Sequence, residues 1–119
     1  MNAIEERRKN PRIEVDYVTV EVYREKSFTT DHAEVCPVVN LSATGMRFSS
    51  DRKFDDKQKL RLTFVLPESM IVIRVNAQIM HTSEMDHQNC HFGVKFTNLG
   101  DTEQRQINHF IQKLLVEHV

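Results

Sequence analysis

The sequence predicts a mainly β domain, a six- to seven-stranded antiparallel β-barrel with a C-terminal α-helix packed on it. Three observations predict it. Short runs alternate apolar and polar residues with a period of two, turn-forming residues interrupt those runs, and the last segment switches to helical spacing. A chain of 119 residues with 39% apolar content buries one core and is short for two. A single domain over residues 13–119 is therefore expected, preceded by a flexible arginine-rich arm over residues 1–12.

In order along the chain, the arm runs from Glu5-Glu6 into Arg7-Arg8-Lys9-Asn10-Pro11-Arg12, and Pro11 biases Asn10 toward extended backbone. From Arg12 a half-buried strand is expected, with Val18, Val20 and Val22 facing one way and Tyr17, Thr19, Glu21 and Tyr23 the other. A polar stretch from Arg24 to His32 precedes a second strand, in which Val35, Pro37 and Val39 alternate with Cys36 and Val38. Asn40-Leu41-Ser42-Ala43-Thr44-Gly45 reads as a turn into a strand that begins at Met46 and Phe48. Charged residues Asp51 to Lys57 form a surface loop. Leu60, Leu62, Phe64 and Leu66 then give the cleanest alternation, Pro67-Glu68-Ser69 breaks it, and Ile71, Ile73, Val75, Ala77 and Ile79 return as the second arm of a hairpin.

After a polar loop from His81 to Asn89, Phe92-Gly93-Val94-Lys95-Phe96 supplies the last strand, where Gly93 marks a bulge or a close backbone approach. Ile107, Phe110, Ile111, Leu114 and Leu115 fall on one face of a helix over about 101–118. Asp101 followed by Gln104 resembles a capping box at its start.

Composition excludes several classes of function. Sixteen basic against seventeen acidic residues leave a net charge of −1, which argues against a protein that coats long nucleic acid or an anionic membrane. Apolar stretches as short as Met70 to Ile73 cannot span a bilayer, and the first residues lack an export signal. Cys36 and Cys90 form no Cys-x-x-Cys pair and read as reduced thiols of a cytoplasmic protein. No nucleophile elbow, phosphate loop or His-Glu-x-x-His motif occurs, so no enzyme activity is expected.

Two segments carry recognisable chemistry. Arg7, Arg8, Lys9 and Arg12 place four cations within six residues, a density that attracts phosphate. Arginine's planar fork can also bond the O6/N7 edge of guanine or stack on a purine. In an extended arm, Arg8 and Arg12 stand roughly 13 Å apart at about 3.3 Å per residue. A turn at Asn10-Pro11 brings them around one ligand. Asn40-x-Ser42-x-x-Gly45 presents a side-chain carbonyl, a hydroxyl and a glycine in one tight segment. Guanine shows N1 and N2 donors, of which the Asn40 carbonyl can accept from one, Ser42 can bond a phosphate or base edge, and Gly45 can supply a positive φ or a close ligand approach. Each segment alone also fits a blander reading, a solvated terminus or an ordinary turn.

Together, Arg8-x-x-x-Arg12 and Asn40-x-Ser42-x-x-Gly45 about thirty residues later resemble the PilZ domain family. The resemblance extends through Pro11-Arg12, Met46, the Phe92–Phe96 strand and the Ile107-x-x-Phe110-Ile111 helix, nearly the whole chain. It implies a bacterial β-barrel that binds cyclic di-GMP, a second messenger of motility and biofilm control. Arg8 and Arg12 would contact phosphate and guanine, with Asn40, Ser42 and Gly45 completing the pocket. Arg7 matches the extra arginine associated in the family with two intercalated messenger molecules. Asn40 stands where the family often has Asp, and its NH₂ cannot replace the second carboxylate oxygen. The resemblance further implies a receptor that changes conformation and signals to an effector protein it does not name.

Two alternatives compete, a barrel that docks proteins without nucleotide and a single-stranded nucleic-acid binder. Phe48, Phe64, Phe92 and Phe96 sit in phase with core residues, which leaves only Tyr17, Tyr23 and Phe28 for a stacking platform. Asp86, His87, Cys90 and His91 lie close in sequence but at no zinc-finger spacing, so a polar loop is the favoured reading and no metal is expected.

Overall fold

The structure, a computed structural model, describes residues 12–15, 17–24, 33–86 and 88–117. Arg7 and Arg8, with the arm before Arg12, lie outside the described residues, as do Phe28 and His87. Among the described residues seven strands occur in chain order, β1 (Ile13–Glu14), β2 (Thr19–Arg24), β3 (Glu34–Leu41), β4 (Gly45–Ser50), β5 (Lys59–Leu66), β6 (Ile71–Glu84) and β7 (Cys90–Phe96), followed by helix α1 (Asp101–Glu117). All pairings are antiparallel. Six strands close in the cyclic order β3-β2-β5-β6-β7-β4 and back to β3, while β1 is an extra strand on β3.

The inward phase follows the sequence alternation. Val20, Val22, Leu60, Leu62, Phe64, Leu66, Ile73, Val75, Ala77, Ile79, Phe92, Val94 and Phe96 are all buried, because alternate side chains of a closed sheet must share one interior. Phe64 and Phe96 stack at 6.1 Å between centroids. Phe48, Phe54 and Phe92 pack together where the loop after β4 folds over. Arg24 lies 4.4 Å above the Phe54 ring. Ile107, Phe110, Ile111 and Leu114 of α1 join the same core, and Lys113 bonds Glu68 at 2.8 Å, which sets the helix beside the β5–β6 turn.

Three local features differ from the sequence expectation. The strand read from Arg12 onward is two strands. Val15 and Val18 are both buried, and a spacing of three breaks the alternation between β1 and β2. Both halves pair with the same edge of β3, Ile13 with Leu41 and Thr19 with Pro37. The expected polar loop from His81 to Asn89 is shorter, because β6 runs on to Glu84 and β7 begins at Cys90. A register shift between Ile79 and His81 lets the polar end of β6 keep pairing. The helix cap sits one residue early. Asp101 is already helical, and the Gln104 N–H donates to the Gly100 carbonyl at 3.0 Å.

Candidate functional site

The β3–β4 turn is closed by its own serine. Ser42 N–H donates to the Gly45 carbonyl at 2.9 Å. The Ser42 hydroxyl accepts from Thr44 N–H at 3.2 Å and lies 3.3 Å from both the Gly45 carbonyl and Thr44 Oγ1. Ser42 is buried, so this hydroxyl shapes the turn from within. Phe96 N–H donates to the Thr44 carbonyl at 2.9 Å and ties the turn to the end of β7.

Gly45 is required for a reason that differs from the expected one. Its φ is not positive. A Cβ there would sit 2.2 Å from the Val94 carbonyl oxygen, so the glycine lets β4 approach β7 closely. Gly93 is different again. A Cβ at Gly93 would meet His81 Cβ at an ordinary 3.5 Å. The irregularity lies on the partner strand, at the Ile79/His81 register shift opposite Gly93.

Registers place the sequence-predicted residues relative to one another. Ile13 pairs with Leu41 and Glu14 with Asn40, so Arg12 is the residue that leads into the strand paired with the start of the β3–β4 turn. A second register shift lies between Val38 and Asn40. Past it, Asn40 pairs with Arg47, Arg47 with Gly93, and Gly93 with His81. Glu14, Asn40, Arg47, Gly93 and His81 therefore form one row across β1, β3, β4, β7 and β6. Met46 and Phe48 are buried on either side of Arg47, so this row faces outward. Neither Arg12 nor Arg47 meets a carboxylate within ion-pair distance among the described residues. Glu14 is the one acidic member of the row.

The structure thus brings Asn40, Ser42 and Gly45 together at the β3–β4 turn beside the strand that follows Arg12, with Asn40 in the outward row and Ser42 and Gly45 buried. Arg47 is a residue the sequence reading did not single out. Its signal was present, an arginine in the outward phase two positions after the turn glycine, but only the ladder shows that it abuts Asn40. What this surface can do chemically is bind an anion bearing a hydrogen-bonding ring edge. Arginine forks supply charge, Asn40 supplies both an acceptor and donors, and Gly93 keeps the row between Arg47 and His81 free of a side chain.

Elsewhere the suspected ligands have structural duties. The Asp86 carboxylate accepts from the N–H groups of Gln88 and Asn89 at 3.0 and 2.9 Å, bonds that hold its pKa below the usual value. No group of three or more His, Cys, Asp or Glu residues capable of holding a metal occurs among the described residues. Burial, with the nearby Glu34 charge second, pushes the Cys36 thiol up to about 12. No helix among the described residues is long and apolar enough to cross a membrane.

Comparison with known proteins agrees with this architecture. The crystal structure of YcgR in complex with c-di-GMP from Escherichia coli superposes with a TM-score of 0.74 at 18% identity, over 94% of this chain and 47% of that one. The PilZ domain with c-di-GMP of YcgR from Escherichia coli gives 0.72 at 17% identity, over 94% of both chains. The K. pneumonia MrkH–c-di-GMP complex gives 0.76 at 15% identity, over 94% of this chain and 54% of that one. The chain spans about half the length of the full-length proteins among these, and the likeness is one of fold. No curated protein matches significantly in sequence. The family model for the PilZ domain matches residues 6–113. With nearly the whole chain under that model, the protein belongs to the PilZ domain family.

Proposed function

We propose that this chain is a cyclic di-GMP receptor whose ligand lies on the outer β1–β3–β4–β7 face. The observation that supports it most is the β1–β3 pairing, in which Ile13, the residue after Arg12, lies opposite Leu41 of the Asn40–Gly45 segment. YcgR and MrkH, which share the fold, were both solved with c-di-GMP. In this reading Arg12, with Arg7 and Arg8, supplies guanidinium forks to phosphate and to the O6/N7 edge of guanine. Asn40 reads the Watson–Crick edge, Arg47 adds a cation beside it, and Ser42 and Gly45 act chiefly by shaping the turn.

The ligand is bound and released without chemistry, and Arg7 favours two intercalated molecules over one. Contacts from residues 5–13 to ligand create a new surface, which an effector protein reads. Two free cysteines, one with a strongly raised pKa, fit a reducing cytoplasmic setting.

Isothermal titration with cyclic di-GMP tests the proposal. Saturable binding that GTP does not displace, at about two ligands per chain, is the expected result. Absence of heat at submillimolar ligand would refute it and shift the assignment to a protein-docking barrel.

A further inference from the structure

The opposite side of the ring, β2–β5–β6, carries a second assembled surface. A groove of about 620 Å³ opens there, lined by Tyr23, Arg61, Thr63, Arg74, Asn76 and Asn98. Registers put Tyr23, Arg61 and Asn76 in one outward row and Glu21, Thr63 and Arg74 in the next. Arg61 and Arg74 are a diagonal pair on neighbouring strands, a relation of roughly 7–8 Å. Neither meets a carboxylate within ion-pair distance among the described residues. The acidic neighbour, Glu21, accepts from the Tyr23 hydroxyl at 2.8 Å, and the Arg61 guanidinium lies 5.7 Å from the Tyr23 ring centroid.

The next row along the hairpin is apolar. Val65 pairs with Val72, they are 37% and 45% exposed, and Met70 at the turn is 71% exposed. Two like charges held close together repel until a carboxylate enters between them. Exposed valines and a methionine gain only when another apolar surface covers them. Arg, Tyr and Met are the residue types enriched at protein interfaces.

We propose that the outer β2–β5–β6 face docks a segment of a partner protein in which glutamate or aspartate side chains flank an apolar one. The carboxylates enter between Arg61 and Arg74, and the apolar side chain covers Val65, Val72 and Met70. A small anion would satisfy the arginines and leave that apolar strip bare. This goes beyond the receptor reading given above and stands on residues outside the messenger site.

The test is a ¹⁵N-NMR titration of the full chain with a synthetic peptide, Glu-Glu-Leu-Glu-Leu, run with and without cyclic di-GMP. Saturable shifts at Tyr23, Arg61, Thr63, Val65, Val72 and Arg74 are expected. Affinity should fall at least about tenfold when glutamines replace the peptide's glutamates, and equally in the Arg61→Glu/Arg74→Glu variant. The same variant should keep its cyclic di-GMP titration, which shows that it is folded and separates this proposal from the messenger reading. Shifts confined to another face, binding indifferent to the charge reversal, or equal shifts from inorganic phosphate would overturn it. Peptide binding at this face in a chain that ignores cyclic di-GMP would support it and refute the receptor assignment.

Discussion

The two sides of the barrel are made differently. On the β2–β5–β6 side the ladders are regular, with eight consecutive pairs from Lys59–Gln78 to Leu66–Ile71, and relief comes from large side chains on a smooth sheet. On the β1–β3–β4–β7 side the backbone itself is irregular. The chain is broken between β1 and β2 where both run along β3, register shifts occur at Val38/Asn40 and, where β6 meets β7, at Ile79/His81, and Gly45 and Gly93 carry no side chain. Bulges re-aim side chains and open hollows in a sheet, and they occur preferentially beside functional sites. An irregular backbone of this kind suits a ligand of fixed shape. A flat display of arginine and valine suits an adaptable peptide.

That contrast makes the sharpest predictions. Arg12→Ala should weaken cyclic di-GMP binding at least about 100-fold, because an arginine bonded to phosphate is among the costliest to remove. Titration calorimetry reads the loss, and Arg61→Ala, on the other side, should leave affinity within about twofold. Arg8→Ala is expected to behave as Arg12→Ala does.

The two glycines should separate folding from binding. Gly45→Ala forces a Cβ against the Val94 carbonyl and is expected to cost about 1–3 kcal/mol, visible as a drop of several degrees in Tm. Gly93→Ala meets only ordinary contact, so Tm should hold while the methyl added beside Arg47 weakens the ligand. If both lower Tm equally, Gly93 serves packing and not the site.

Arg47→Ala should weaken the ligand several-fold with Tm unchanged, as befits an outward cation with no carboxylate partner among the described residues. Smallest at neutral pH is the contribution of Cys36. Its folded pKa of about 12 lies above the ordinary 9.0, so the folded state keeps a proton that the unfolded chain releases. Stability should therefore be indifferent to this group below about pH 9 and decline as pH climbs toward 12. A Cys36→Ala variant followed by denaturant titration across that range checks the sign.

What the sequence made legible follows from what each residue does locally. The inward phases of β5, β6 and β7 and the helical face of Ile107, Phe110, Ile111 and Leu114 were readable, because burial on one face imposes a period. Gly93 marks one irregularity, but the extra residue lies on β6 opposite it, and nothing in the sequence marks the shift at Val38/Asn40, since a register shift is a property of two strands. For the same reason the apolar alternation ends four residues before β6 does. Its end is polar, and only pairing with β7 keeps Thr82, Ser83 and Glu84 in the sheet. At the site, Asn40, Ser42 and Gly45 were visible as a motif. Their division of labour was not, because Ser42 turns inward to hold the loop and Gly45 answers to Val94. Arg47 was hidden among the strand's polar positions until the ladder set it beside Asn40.

The most direct test of the central claim is a map of where cyclic di-GMP lands, obtained by titrating ¹⁵N-labelled chain and following backbone amides on both sides of the barrel. The account predicts saturable shifts at Arg12, Asn40 to Arg47 and Gly93, with Tyr23, Arg61 and Arg74 silent. Shifts centred on β2, β5 and β6, or none at saturating messenger, would contradict it.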